Sequence, residues 1–274
     1  MTHHGRPCWY ELSTSPGKLK DAEKFYGKVL GWKFADAGME GFTYHLATSG
    51  GDMVAGAMEM PGDTPGMAPF WMLYFAVDDA DKAVAQMVEA GASVHRPIMP
   101  IPGTGRFALL ADPQGAGFGI LEPEPSENGG AGGAFKPGKG HGSWHELMST
   151  DPKAAMAFYG GAFGWTPSTS MPMGEMGSYD LFAWNGSDIG GMMRIAPGMP
   201  GPGRPSWLPY LGVASAEKAI KRIETAGGTV RTGPHEVPGG ASLVVAAAPA
   251  GAACARLGGK GGRTTPGTNP PRTA

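Results

Sequence analysis

The stretch FYGKVLGW at residues 25–32 returns as FYGGAFGW at residues 158–165. The offset between matching residues runs from 133 (25 to 158) to 136 (70 to 206), close to half of the 274-residue chain. A repeat of this length across the whole chain indicates a duplication. Three further matches keep the same order: WYEL at 9–12 with WHEL at 144–147, FWMLYFAV at 70–77 with SWLPYLGV at 206–213, and AGASV at 90–94 with AGGTV at 226–230.

The composition excludes several classes of protein. With 22 basic and 24 acidic residues the chain lacks the basic face that nucleic acids require, so we expect no nucleic-acid partner. No apolar run approaches the roughly 20 residues that cross a bilayer, so we expect no membrane partner. The start, MTHHGRPCWY, lacks the apolar stretch of a signal peptide. Two distant cysteines, Cys8 and Cys254, form no metal-type spacing and favour a reduced, cytoplasmic protein.

Glycine and proline mark the predicted boundaries. The 47 Gly and 26 Pro are concentrated in turns, in a central stretch and in the C-terminal tail, while the 41% hydrophobic fraction suffices for packed cores. We predict module 1 over residues 1–125, a flexible Gly-rich linker over 126–141, module 2 over 142–257 and a disordered tail over 258–274.

The sequence of each module predicts two successive β-α-β-β-β units. PCWYELST at 7–14 alternates as a strand does, and apolar residues at helical spacing follow it until Gly31. In module 2, Asp151-Pro152 is typical of a helix cap with proline at the first helical position. The pattern predicts an α+β fold of two tandem βαβββ modules that pair as curled mixed sheets, with helices on one face.

These elements resemble the vicinal oxygen chelate superfamily, which includes glyoxalase I, extradiol dioxygenases and bleomycin-resistance proteins. The resemblance is carried by FYGKVLGW at 25–32, by FAVDDADKAVAQMVEAGA from Phe75 and by DPQGAGFGIL from Asp112, and by the module 2 counterparts of the first two. It implies the glyoxalase-like fold over residues 5–257. It does not identify a reaction, because this fold hosts isomerases, oxygenases and pure binders.

The resemblance also implies a divalent metal held by His, Gln and Glu, but the matching positions carry other residues. Tryptophan, leucine and glycine side chains offer no oxygen or imidazole ligand, and a methionine thioether suits softer ions. We therefore predict no metal and no other cofactor. The positions are Trp9, Met72 and Gly119 in module 1, and Trp144, Leu208 and Ala255 in module 2.

Strand alternation predicts which side chains face the two clefts in the absence of a metal. Trp9 and Glu11 share one strand face, and Tyr10 lies on the other. Arg106 begins a strand where it could clamp a carboxylate or phosphate; module 2 has Ser242 there, so the two clefts are predicted to differ. The predicted ligand-binding residues are Trp9, Glu11, Trp71, Tyr74 and Arg106 in module 1, and Trp144, Glu146, Trp207 and Tyr210 in module 2.

Several functions fit these observations. The first hypothesis is a small-molecule binder that works without the usual metal, and whether it also catalyses a reaction stays open. The alternative is a metal-dependent lyase, epimerase or dioxygenase whose ligands occupy other positions. A third is a structural module, in which the tryptophans seal the interface and the two glutamates are solvated or paired. In every case we expect the two modules to pair within one chain.

Overall fold

The computed structural model describes residues 3–62, 67–124, 133–199, 203–237 and 240–249, and the backbone of 253–259. Module 1 comprises β1 (Pro7–Thr14), α1 (Leu19–Leu30), β2 (Lys33–Asp36), β3 (Tyr44–Ser49), β4 (Asp52–Glu59), β5 (Phe70–Ala76), α2 (Ala80–Glu89), β6 (Ser93–Ile101), β7 (Gly105–Ala111) and β8 (Gly117–Pro123). Module 2 comprises β9 (Gly142–Ser149), α3 (Pro152–Phe163), β10 (Thr166–Pro172), β11 (Ser178–Trp184), β12 (Ser187–Arg194), β13 (Ser206–Val213), α4 (Ala216–Thr225), β14 (Thr229–Val237), β15 (Ala241–Ala247) and β16 (Ala253–Gly259).

Each module forms one mixed eight-stranded sheet built from two βαβββ units. The strand orders are β2-β3-β4-β1-β5-β8-β7-β6 and β10-β11-β12-β9-β13-β16-β15-β14. Within module 1, β1 runs parallel to β4 and β5 parallel to β8, while β1 and β5 join the two units as an antiparallel pair. The predicted α+β fold with two curled-sheet modules is confirmed, and each module contains two βαβββ units side by side.

The helices cover one face of each sheet. The apolar stripe of α1 is buried, and Gly31 ends the helix in the left-handed region at φ 80°. Helix α3 begins as the sequence predicts: the Asp151 carboxylate accepts hydrogen bonds from the backbone of Lys153 and Ala154, and Pro152 opens the first turn. We call the sheet face away from the helices the open face.

The helix-bearing faces of the two modules share one core. The Phe75 ring of module 1 lies 5.0 Å from Trp165 and 5.4 Å from Trp207, both in module 2. Phe118 lies 5.6 Å from Tyr159, again across the junction. Such aromatic contacts are worth about 0.5–1.5 kcal/mol each beyond the apolar area they bury. The two modules therefore pair within the chain, as predicted, and their open faces belong to separate modules.

The turn of sequence DPQG in module 1, residues 112–115, makes hydrogen bonds to α3 and to the residue that caps it. Asp112, which is 4% exposed, accepts hydrogen bonds from the backbone N–H groups of Gln114 and Ala116 and from the Tyr159 hydroxyl at 3.0 Å. The Gln114 side-chain carbonyl accepts from the Asp151 backbone at 2.8 Å. The corresponding turn of module 2 is Ala-Pro-Ala-Gly from residue 248, which has no carboxylate to offer.

The described part of the predicted linker packs on module 1. Lys136 forms an ion pair with Asp52 at 2.5 Å, and the imidazole of His141 lies 3.2 Å from the same carboxylate. The Trp32 indole donates to the carbonyl of Gly140 at 2.8 Å. Residues 133–141 are thus held by specific contacts. The tail predicted to be disordered comprises residues 258–274. Its first two residues are the last two of β16, and residues 260–274 lie outside the described part of the chain.

No helix in the described ranges combines the length and apolar character that crossing a membrane requires.

Candidate functional site

Four side chains on the open face of module 1 form a hydrogen-bonded group. The Tyr44 and Tyr74 hydroxyls donate to the two carboxylate oxygens of Glu11, at 3.0 and 3.1 Å. The Trp9 indole donates to the Tyr44 hydroxyl at 2.9 Å. We call Trp9, Glu11, Tyr44 and Tyr74 the module 1 quartet. Strands β1, β3 and β5 supply its members; β1 and β5 are adjacent, and β4 lies between β1 and β3, so the sheet itself fixes their spacing.

Module 2 repeats this arrangement with the same residue types. The Trp144 indole donates to the Tyr179 hydroxyl at 2.8 Å, and the Tyr210 hydroxyl donates to Glu146 at 3.0 Å. Tyr179 also hydrogen bonds to the Glu146 carboxylate. We call Trp144, Glu146, Tyr179 and Tyr210 the module 2 quartet. The chain therefore carries two equivalent polar groups, one on each open face.

Both quartets lie at the boundary between core and solvent. Tyr74 and Tyr210 are buried, whereas the tryptophans, the glutamates, Tyr44 and Tyr179 are half-buried. Burial raises the pKa of both carboxyl groups above the ordinary glutamate value, and the tyrosine hydrogen bonds oppose that rise. Burial also raises the pKa of all four tyrosines, so their hydroxyls remain donors. Each site thus offers one carboxyl of raised pKa among aromatic rings.

An apolar surface surrounds the module 1 quartet. Tyr74 and Leu121 are buried in a cluster separate from the main core, and partly buried apolar side chains pack against it. The Phe107 ring lies 6.4 Å from the Tyr74 ring. The partly buried members are Trp9, Met72, Ile101, Phe107 and Leu109. Aromatic and aliphatic walls around a few polar groups are typical of a small-molecule site.

Six of the nine predicted site residues belong to the quartets: Trp9, Glu11 and Tyr74, and Trp144, Glu146 and Tyr210. Trp71 and Trp207 do not, since both lie in the main core on the helix-bearing face. Their indoles donate to the hydroxyls of Tyr26 and Tyr159, at 3.2 and 3.0 Å. The physical reason is strand alternation, because Trp71 and Trp207 each precede by one residue a side chain on the open face.

Arg106 is also displaced from the predicted site. Its guanidinium donates to Asp81 of α2 at 2.7 Å and to Glu122 at 2.5 Å, on the helix-bearing side of the sheet. The clamp predicted for a ligand carboxylate is therefore occupied by two carboxylates of the protein itself. The expected difference between Arg106 and Ser242 does not separate the two open faces.

Sequence reasoning missed Tyr44, Tyr179 and Arg96. The two tyrosines stand 135 residues apart (44 to 179), the same offset as Trp9 and Trp144 (9 to 144), so the repeat carried a signal that could have found them. Arg96 of β6 pairs with Leu109, a residue of the open-face cluster. No motif marked Arg96, because its position depends on irregular pairing between β6 and β7.

The positions matched to metal ligands hold a different arrangement. Trp9 pairs with Tyr74, and Tyr74 pairs with Gly119, so the three lie in one row across the sheet. A Cβ added at Gly119 would overlap the Tyr74 ring, which fills the space a ligand side chain would need. Among the described residues no three His, Cys, Asp or Glu side chains come together as a metal site. These side chains do not fit a divalent ion of the usual kind.

Comparison with known proteins identifies a family match in both modules. The model of the Glyoxalase/Bleomycin resistance protein/Dioxygenase superfamily matches residues 15–120 and again residues 143–255. CFP32 of Mycobacterium tuberculosis, which is named as a candidate glyoxylase, is 33% identical over 252 residues, covering 90% of this chain and 92% of its own. The anthracycline biosynthesis protein DnrV of Streptomyces peucetius is 30% identical over 253 residues, covering 86% and 87%.

Solved structures share the fold at low sequence identity. The Mn(II)-bound glyoxalase from Novosphingobium aromaticivorans superposes with a TM-score of 0.67 at 16% identity, covering 94% of this chain and 83% of its own. The 2,2',3-trihydroxybiphenyl 1,2-dioxygenase from Sphingomonas wittichii strain RW1 gives 0.67 at 15% identity, covering 93% and 91%. At these identities the likeness concerns the fold alone.

Proposed function

We propose that this chain, which belongs to the Glyoxalase/Bleomycin resistance protein/Dioxygenase superfamily, binds a small organic molecule on its open faces without a divalent metal ion. The observation that carries the proposal is the matched pair of quartets. Each quartet presents aromatic rings and one carboxyl group at a half-buried surface, where the resemblance places a metal.

The quartet has the chemistry to orient a ligand. Glu11 can accept a hydrogen bond from a hydroxyl or amide of the ligand, because each carboxylate oxygen that a tyrosine contacts retains a second lone pair. Tyr74 donates to Glu11, and its oxygen remains an acceptor. The Trp9 ring supplies an apolar surface on which a planar molecule can stack, and its orientation is fixed by the bond to Tyr44.

The proposal that binding needs no metal depends on the small number of metal-ligating groups around Glu11. A site for a divalent ion needs several anionic or imidazole ligands around one point. Glu11 is the one carboxylate of the module 1 quartet, and two tyrosine hydroxyls already bind its two oxygens. The row of Trp9, Tyr74 and Gly119 offers no second carboxylate and no imidazole.

One relative supports an aromatic ligand. DnrV is named for anthracycline biosynthesis, and anthracyclines are planar polycyclic molecules. Stacking on a tryptophan beside a carboxyl and two phenols suits molecules of that kind. We therefore infer an aromatic or conjugated ligand with at least one hydrogen-bonding group.

Cys8 bears on the compartment in which the protein works. Its thiol is buried and donates to the carbonyl of Tyr74 at 3.4 Å. Burial raises the pKa of this thiol, which disfavours the reactive thiolate. A buried free thiol suits a reducing environment, and we infer a cytoplasmic setting.

Elemental analysis and a thermal-shift screen test the proposal together. We expect the purified full-length protein to hold no stoichiometric divalent metal. A panel of hydroxylated aromatic compounds should include binders that raise the melting temperature, and the rise should persist with a chelator present. A ligand at 100 times its Kd adds about 2.7 kcal/mol to the free energy of unfolding, which such a screen detects.

Matched variants connect the response to the quartets. The double change Glu11→Gln with Glu146→Gln should weaken the ligand-induced shift, whereas Glu89→Gln, at an exposed position of α2, should leave it unchanged. One divalent ion per chain, together with loss of the ligand response in chelator, would instead support a metal-dependent lyase, epimerase or dioxygenase. Absence of any response across the panel would favour a structural role.

A further inference from the structure

We propose that the open face of module 1, and not that of module 2, selects planar molecules that carry an anionic group, with Arg96 as the residue that pairs with the anion. The inference rests on the proposed function and adds a ligand class and a choice between the two modules. Arg96 takes the anion-binding role that the sequence predicted for Arg106, whose guanidinium pairs with two carboxylates of the protein instead.

Strand pairing brings Arg96 to the open face. Arg96 is paired with Leu109, and residues paired across strands project from the same face of a sheet. Leu109 and Phe107 both pack in the open-face cluster around Tyr74. Arg96 is exposed, so its guanidinium lies beside the apolar surface without being enclosed by it.

The guanidinium of Arg96 is available to a ligand. Throughout the described ranges it makes no hydrogen bond or ion pair, whereas that of Arg106 binds two carboxylates. Its charge nevertheless reaches the quartet. Burial raises the pKa of Glu11 and of Tyr74, and the positive charge of Arg96 opposes that rise in both groups. An unpaired cation beside a half-buried aromatic surface is a ready partner for a carboxylate or phosphate.

Module 2 has no such cation at the matching position. Thr232 takes the place of Arg96, and it pairs with Val245 as Arg96 pairs with Leu109. The Thr232 hydroxyl lies 2.5 Å from the imidazole of His235, so a protein group already occupies it. Leu243 corresponds to Phe107, so the additional aromatic wall is absent as well.

The arrangement in module 1 defines a ligand class. One end of the ligand would meet Glu11, which accepts a hydrogen bond from a hydroxyl or amide. The planar body would lie against Trp9 and Phe107, and the far end would present two oxygens to the fork of Arg96. A hydroxylated aromatic carboxylate or an aromatic phosphate meets these requirements.

Binding of hydroxynaphthoate and of its neutral analogue hydroxynaphthamide by the full-length protein tests the inference. We expect the unmodified protein to prefer the carboxylate, and Arg96→Gln to weaken carboxylate binding about tenfold while leaving amide binding unchanged. Arg106→Gln is the matched control and should leave both affinities unchanged. Phenyl phosphate competing against hydroxynaphthoate identifies which anion the site prefers.

A gain-of-function variant adds an independent measurement. Thr232→Arg combined with Leu243→Phe should create a second carboxylate site, raising the calorimetric stoichiometry for hydroxynaphthoate from one to two. Equal binding of the carboxylate and the amide, or unchanged carboxylate binding by Arg96→Gln, would overturn the inference and leave the proposed function standing. Failure of both compounds to bind would overturn the inference as well, whereas the proposed function is overturned only if no compound of the aromatic panel binds.

Discussion

The two modules carry the same quartet but differ in what surrounds it. In module 1 the quartet lies near Arg96 and Phe107, and in module 2 the matching positions hold Thr232 and Leu243. The turns differ too, because Asp112 of module 1 is a buried hydrogen-bonding centre and its counterpart is Ala248. The quartets are thus among the parts that the duplication has kept in both modules, and their surroundings are not.

This difference indicates that the two modules have different roles. Module 1 combines the charged, more aromatic open face with the turn that holds α3 in place. Module 2 supplies the other side of the common core, through rings such as Trp165 and Trp207. We interpret module 1 as the half that selects the ligand, and module 2 as a second site of simpler chemistry that also supports the first.

The largest effect is expected from the module 1 turn that begins at Asp112, a position that Ala248 occupies in module 2. Asp112→Ala leaves two backbone N–H groups and the Tyr159 hydroxyl without their acceptor in a buried place. Three unsatisfied groups at about 1–3 kcal/mol each give a loss of at least about 3 kcal/mol, and single substitutions rarely exceed about 5 kcal/mol, so we expect about 3–5 kcal/mol in the free energy of unfolding. Chemical denaturation followed by tryptophan fluorescence measures it.

Two control variants sharpen this measurement. Asp112→Asn keeps one acceptor oxygen and should lose clearly less than alanine does. Asp21→Ala removes an exposed carboxylate whose partner is Lys18, and it should change stability by no more than about 0.5 kcal/mol. A small effect of Asp112→Ala would show that the difference between the two turns does not contribute to the free energy of unfolding.

An intermediate effect is expected from the tryptophans of the quartets. Trp9→Ala and Trp144→Ala each remove a half-buried ring that donates to a tyrosine hydroxyl. We expect each to cost about 1–3 kcal/mol of stability, less than the 3–5 kcal/mol usual for a fully buried tryptophan. Ligand affinity should fall chiefly for Trp9→Ala, by about 0.5–1.5 kcal/mol for the lost stacking.

Equal affinity losses in the two tryptophan variants would break the comparison, because the modules would then bind alike. Trp9→Phe is the matched control, since it keeps an aromatic ring, although a smaller one, and removes the donor to Tyr44. Isothermal titration with a binder from the screen and thermal denaturation give the two quantities separately.

The smallest effect concerns pH. Glu11 and Glu146 have a folded-state pKa raised by burial above the unfolded value of about 4.3. Each therefore contributes stability that is complete below the unfolded pKa and is lost as the pH rises through the folded pKa. The stability of the unmodified protein relative to Glu146→Gln should accordingly decline with rising pH, and likewise relative to Glu11→Gln.

The modules should differ in this titration. Arg96 opposes the rise in the pKa of Glu11, and among the residues that the structure describes no arginine does so for Glu146. We expect Arg96→Gln to raise the pKa of Glu11 and to leave that of Glu146 where it is. Carbon-detected NMR of the two carboxyl groups measures this, and an unchanged Glu11 titration would show that the Arg96 charge does not reach the quartet.

The repeat and the alternation of strands predicted most of the fold. They identified the duplication, the end of α1 at Gly31, the start of α3 at Asp151-Pro152 and the face shared by Trp9 and Glu11, because these features can be read from the sequence itself. The core positions of Trp71 and Trp207 follow from the same alternation once it is applied strictly. Six of the eight quartet residues were therefore available from local patterns.

The rest depended on contacts between distant strands. Tyr44 reaches Glu11 across 33 residues of sequence, and the pairing of β6 with β7 that aligns Arg96 with Leu109 contains register shifts. Arg106 looked free because its partners Asp81 and Glu122 are remote in sequence. Register in an irregular sheet is set by the assembled structure, so a single strand could not reveal it.

Where the two halves meet, equivalent positions of the duplication touch each other. Tyr10 of β1 and His145 of β9 are stacked with ring centroids 5.7 Å apart, and the Tyr10 hydroxyl lies 2.6 Å from the His145 imidazole. The other imidazole nitrogen lies 2.6 Å from the carbonyl of Ile189, so it carries the proton. Burial lowers the pKa of His145 to about 4, which keeps the ring neutral and leaves its second nitrogen as an acceptor for Tyr10.

A symmetric assembly of two identical subunits would oppose each such residue with its own copy. Two copies of module 2 would bring two imidazole acceptors together with no proton between them. Because the two modules lie in one chain, the two matching positions can carry different residues, here a donor and an acceptor. Two copies of module 2 would lack the Tyr10 donor, so this contact favours pairing between the two unlike modules.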